Sequence, residues 1–201
     1  MRCGRRLALG LIFSLAMPRG ACALDVTVGQ QDIERALAIA RAREAERAHF
    51  HSRYLFPGND ATGTQLEIIS EFRRFVITAE DRLRRGDWMF TQGTRAAELA
   101  LASQRGRTTI MAHLRFNPLN TYVAVPASEV VVQGVMPLET RTTPQYAAPF
   151  PGQKNTAVAL IGAFIEADFS AASLGQTTRS IQVMLDGKKL TGLTVDFARI
   201  E

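Results

Sequence analysis

Residues 181–197 read IQVMLDGKKLTGLTVDF. Ile181, Val183 and Leu185 alternate with Gln182 and Met184, the period of two that gives a half-buried strand. Asp186-Gly187 follows at once, and a two-residue Asp-Gly turn is the strongest short hairpin signal, because both positions accept positive φ. Leu193, Val195 and Phe197 form the returning strand. Leu190 has the opposite parity to Leu193, which places a β-bulge near Gly192. The C-terminal end of the chain is therefore antiparallel sheet.

Working back from the hairpin, Val158–Phe169 is apolar on both parities until Glu166 and Asp168, which suits a strand buried on both faces at its start and half-exposed at its end. Residues 137–154 carry Pro137, Pro144, Pro149 and Pro151, and read as an edge strand near Glu139–Thr143 followed by a long surface loop. Short strands are expected at Tyr122–Val125 and Glu129–Gln133, around Pro126. In 107–116, Ile110, Ala112, Leu114 and Phe116 share one parity, opposite Met111, His113 and Arg115. Six or seven short strands joined by hairpins and long loops predict an antiparallel β-sandwich of immunoglobulin-like type.

Ahead of Gly106 the period lengthens. One helix is expected over about Gln31–His51, alanine-rich with a narrow apolar stripe of Ile33, Leu37 and Ala40 and a solvated Arg/Glu face. A second is expected over 64–85. Thr64-Gln65-Leu66-Glu67 fits a capping box, and Leu66, Ile69, Phe72, Val76, Ala79 and Leu83 follow at steps of three and four. Glu67, Glu71 and Arg74 fall on its solvent side, and Gly86 ends it. A shorter helix is expected over about 95–103. The fold class is thus α+β, with N-terminal helices packed on a C-terminal antiparallel β-sandwich. Residues 24–106 are its helical part and 107–201 its sandwich part.

The first 23 residues read as an export signal of bacterial type. Arg2, Arg5 and Arg6 form a positive start, Leu7–Met17 an apolar stretch of 11, and Ala21-Cys22-Ala23 a small-residue cleavage site between Ala23 and Leu24. Eleven residues fall short of the roughly 20 needed to span a bilayer core. Cys22 sits where lipidation is conceivable, although Arg19 stands where lipoprotein signals place a leucine-like residue. The expected destination is the periplasm or the medium, with no transmembrane segment in the mature chain.

The signal also carries much of the chain's bias. The sequence has 24 basic and 19 acidic residues, a net of +5. Without residues 1–23 the count is 20 against 19, so the basic balance gives no support for nucleic-acid binding. Both cysteines, Cys3 and Cys22, leave with the signal as well. The mature chain then has no disulfide, thiol nucleophile or cysteine metal site, and must be held by packing alone.

Chemistry is sparse. The histidines are His49, His51 and His113. Two helical positions apart is about 200°, so His49 and His51 diverge and make a poor metal pair. His113 lies on the polar parity of its strand beside Arg115. No G-x-S-x-G elbow, phosphate loop or calcium loop occurs, and no cofactor or metal is expected. The single tryptophan, Trp88, sits in an apolar cluster after the second helix and reads as a plug or as an anchor for a partner. Trp88, His113 and Arg115 are the contact candidates. The sequence favours an exported, non-enzymatic accessory or interaction protein with room for a protein partner. An exported metal-binding protein or hydrolase using His113 or His49/His51, and a small-molecule carrier, are the alternatives.

Overall fold

The computed structural model describes residues 28–60, 63–87, 90, 95, 99, 102–117, 122–147 and 159–201. Trp88 and the Ala23–Leu24 cleavage site lie outside them. Elements run in the order α1 (Gln30–Arg41), α2 (Glu44–Ser52), β1 (Leu55–Pro57), β2 (Gln65–Ile69), α3 (Glu71–Arg84), β3 (Arg107–Arg115), β4 (Ser128–Val132), β5 (Glu139–Tyr146), β6 (Leu160–Ser170), α4 (Ala171–Leu174), β7 (Thr178–Leu185) and β8 (Lys188–Asp196).

The strands make two antiparallel sheets, of order β1-β2-β3-β6-β5 and β4-β7-β8. The fold is accordingly α+β and sandwich-like. Leu66, Ile68, Ile110, Ala112, Ile165 and Phe169 from the first sheet meet Val130, Val132, Ile181, Val183 and Val195 from the second. Ile33, Leu37, Phe72, Phe75 and Val76 from the helices belong to the same buried cluster. The described residues contain no cysteine, and none of their helices is long and apolar enough to cross a membrane.

The hairpin forms as its sequence requires. Asp186 and Gly187 both take positive φ, 48° and 71°. The bulge falls at Leu190, two residues before the expected position: β7 pairs Met184 with Lys189 and Val183 with Thr191, so Leu190 is the extra residue. β5 is the expected edge strand, extended to Tyr146. Tyr122–Val125 is not a strand.

Ahead of Gly106 two expectations fail. The single helix over 31–51 is two, because Ala42 and Arg43 take extended backbone, with ψ of 168° and 152°. Tertiary packing accounts for the break. The stripe Ile33, Ala36, Leu37 and Ala40 is buried along α1, which lies along α3, while Phe50 on α2 packs against Tyr54 and Phe72.

The helix over 64–85 is a strand followed by a helix. Gln65–Ile69 pairs with β3 and β1, burying Leu66 and Ile68 on one face. The Thr64 hydroxyl binds Asp60 Oδ2 at 2.8 Å inside the preceding loop instead of capping a helix. The true cap of α3 is Ser70, whose Oγ accepts from Arg73 N at 3.2 Å and donates to the Glu201 carbonyl.

Gly162 marks where backbone approach is tightest. It lies on β6 between Arg115 of β3 and Gln145 of β5, and a Cβ there would collide with the Leu114 carbonyl oxygen. Gly162→Ala should therefore destabilise the fold by about 1–3 kcal/mol, read as a lower urea midpoint with unchanged slope.

Candidate functional site

Two polar clusters organise the start of α3 and the sheet beside it. The first is a chain of five side chains. Arg73, only 2% exposed, reaches back along β2 and donates through Nη2 to Glu67 Oε1 at 2.5 Å and through Nη1 to the Ile68 carbonyl at 2.6 Å. Its Nε faces His51 Nδ1 at 3.4 Å, and its guanidinium lies 4.9 Å from the centre of the Tyr54 ring. Glu67 Oε2 meets His113 Nε2 at 3.0 Å, and His51 Nε2 meets Glu80 Oε1 at 3.0 Å.

The order of donors follows from Arg73, which has no acceptor. Its Nε–H makes His51 Nδ1 the acceptor, so the ring proton of His51 sits on Nε2 and points to Glu80. Both nitrogens of His51 are thereby spent. Burial alone would raise the Glu67 carboxyl, but the His113 hydrogen bond and the Arg73 charge reverse this and hold it below the ordinary glutamate range. Burial lowers the Arg73 guanidinium, and Glu67 counters it.

The second cluster is centred on Asp168 of β6, 2% exposed. Thr109 Oγ1 donates to Asp168 Oδ1 and accepts from Arg74 Nη2. Asp168 Oδ2 faces Arg141 Nη2 at 3.5 Å and Arg107 Nη1 at 3.7 Å. Glu139 pairs with both of those arginines, and Glu166 lies 4.0 Å from Arg141. A second buried acid, Glu71, clasps two backbone donors, Val28 N at 3.3 Å and Gly106 N at 2.8 Å.

These clusters place the residues singled out from the sequence. His51 and His113, 62 positions apart, end in one network, whereas His49 is exposed on α2. The His113 ring also stands edge-on to Phe164, with centroids 4.7 Å apart. Arg115 is exposed at the end of β3 and lines a cleft of about 200 Å³ with Leu114, Phe116, Tyr122, Leu185 and Leu190. Glu67, Glu71 and Arg74, expected on a solvated face, are instead held inside polar clusters. Arg73 and Glu80 are members that no local pattern marked, and Asp168, expected at a half-exposed strand end, is instead buried at the centre of the second cluster. Among the described residues, no group of three or more His, Cys, Asp or Glu is placed to hold a metal ion.

Tyr54 stands beside the first cluster with its hydroxyl buried and without a hydrogen-bond partner. Burial, seconded by the charge of Glu201, pushes the phenol up to about 12, against the pull of Arg53, Arg73 and Arg35. The unfolded phenol ionises near its ordinary value of 10, so this contribution to stability is complete below that pH and is lost as pH rises through 12. A shift of that size corresponds to about 2–3 kcal/mol. Tyr54→Phe should remove that alkaline slope from a stability–pH profile, and at pH 7 should leave stability within about 1 kcal/mol of the parent, because no hydrogen bond is lost.

No family model, curated protein or solved structure matches this chain.

Proposed function

We propose that this is an exported, non-enzymatic interaction protein, periplasmic or secreted, that receives an extended segment of a partner protein along β5. One observation carries the reading. β5 is paired with β6 along its whole length, in one register from Glu139 to Gln145 and shifted at Tyr146, yet seven of its eight residues are exposed. A strand exposed on both faces gains little from its own core, and its free edge offers unpaired N–H and C=O groups for strand addition. Pro144 confines that pairing to the stretch before it. Met136, 85% exposed, and Leu138, 58% exposed, extend the surface with apolar contacts at the start of the strand.

The enzyme or metal reading built on His113 or His49/His51 has less support. Both ring nitrogens of His51 already serve Arg73 and Glu80, and Nε2 of His113 serves Glu67. The immunoglobulin-like character, with the helices packed on the sandwich, is also proposed, as a likeness of layering. Its support is the wholly antiparallel pairing and the approach of β4 to β3 and β6 across the two sheets.

The test is capture of partners from periplasm and culture medium by the parent and by a Thr140→Lys/Thr142→Lys variant, whose edge charges oppose strand addition. A partner held by the parent and lost by the variant is the expected result. A partner held equally by both, or none, overturns the reading. Amino-terminal sequencing of the exported protein should begin at Leu24.

A further inference from the structure

The two sheets leave one pair of edges facing each other at the opposite side of the first sheet from β5. β1 ends the order of the five-stranded sheet and β8 ends that of the three-stranded one. The loop that follows β1 is tied to β8 where Asn59 N donates to Thr191 Oγ1 at 2.9 Å. At the end of β8 and the turn after it, from Thr194 to Ile200, lies a cleft of about 520 Å³, within the roughly 300–1,000 Å³ range of small-molecule sites.

Its lining divides by chemistry. Phe56, Val195 and Ile200 supply an apolar wall. Tyr54 adds an aromatic ring, and its hydroxyl is a buried donor with nothing to donate to. Thr194, the Asp196 carboxylate and two guanidinium groups, Arg53 and Arg199, complete the lining, with Asp196 neutralised by Arg199 and accepting from Ala198 N. Arg199 is held by Asp196 at 3.2 Å, and Glu201 by Arg35 at 3.4 Å. Arg53 has no ion-pair partner among the described residues. An orphaned donor and an unspent cation beside an apolar wall make a one-sided site that lacks only an anion with an apolar body.

The geometry points to a binding site for a small amphipathic carboxylate. Its head group pairs with Arg53 and accepts from the Tyr54 hydroxyl, while its chain or ring lies on Phe56, Val195 and Ile200. An Arg–carboxylate pair of this kind is a strong, charge-assisted contact. The wall rewards the apolar part in proportion to the area it covers. The inference stands apart from the partner reading, since β1 and β5 are opposite edges of the sheet.

Calorimetric titration of the full mature chain with octanoate tests it, with octanol as the uncharged arm and octylamine as the cationic one. Octanoate should bind with one-to-one saturation, octanol at least tenfold more weakly, and octylamine not at all. Arg53→Gln should weaken octanoate at least fivefold, and Tyr54→Phe severalfold, both with unchanged melting temperature. Absence of saturable octanoate binding, equal binding of octanol, or indifference to Arg53→Gln overturns the site. Loss of binding in Arg115→Gln alone, which would place the ligand in the smaller cleft at the end of β3, overturns it as well.

Discussion

Arg73→Met should cost about 3–5 kcal/mol of folding stability, the range for breaking a buried ion pair by removing one partner. Methionine preserves much of the volume but leaves three acceptors behind: Glu67 Oε1, the Ile68 carbonyl and His51 Nδ1. The dominant loss is at Glu67, a largely buried carboxylate whose remaining partner is His113.

The pH dependence identifies the cause. In the parent, Glu67 is held below its ordinary value, so its contribution is present above the unfolded glutamate pKa and fades as pH falls through the folded one. In the variant the His113 hydrogen bond remains but the Arg73 charge no longer opposes desolvation, and the carboxyl titrates higher. The deficit between the two proteins should thus be full at pH 7 and shrink as pH falls through the raised Glu67 pKa of the variant toward the lowered one of the parent. A deficit that stays constant down to pH 3 would instead assign the loss to packing. Glu67→Gln added to Arg73→Met should recover part of the stability, because it removes a carboxylate charge left without its guanidinium partner. The double-mutant cycle then reads the coupling directly.

The same residues show what the sequence could and could not disclose. The hairpin at 181–197 was legible because two independent signals agree there: alternation on both arms, and a turn dipeptide with the right φ tolerance. The segment 64–85 was misread because two periods coincide. Ile68 and Ile69 are both apolar, so Leu66–Ile68 satisfies a strand face while Leu66–Ile69 satisfies a helical step. Thr64-x-x-Glu67 imitates a cap, but the hydroxyl serves Asp60 and the carboxylate serves Arg73 and His113. The edge strand was legible through its prolines, since only an edge tolerates a missing ladder donor.

The polar clusters were illegible for a different reason. An amphipathic helix with Glu and Arg opposite its apolar stripe ordinarily presents those charges to water. Here the first turn of α3 follows β2 after one residue, and that junction brings Arg73 back over the strand it has just left and Arg74 against β3. Glu67 and His113 are 46 positions apart, and Thr109 and Asp168 are 59 apart. Only the register of β2, β3 and β6 brings such residues together, and no local pattern encodes it.

Asp168→Asn is expected to have the next largest effect, about 2–4 kcal/mol, because it strips the central anion from a ring of arginines while nearly preserving shape. Asparagine can still accept from Thr109, so the loss of charge is isolated from the loss of a hydrogen bond. Three guanidinium groups converge on this site, and they differ in burial. Arg141 and Arg107 reach water and can turn away, with Glu139 at hand for both. Arg74 cannot. Its Nε is buried without a partner, and its Nη2 is tied to Thr109 Oγ1. Burial already lowers the Arg74 guanidinium, and Asp168 is the first counterweight to that cost, followed by Glu166.

It follows that the penalty of Asp168→Asn should be carried by Arg74, and Arg74→Met should suppress most of it. In that background the substitution removes an anion from beside two solvated cations only, worth about 1 kcal/mol or less. Chemical denaturation of the four proteins of this cycle measures the difference. Additive losses would show that the exposed arginines, and not Arg74, depend on Asp168.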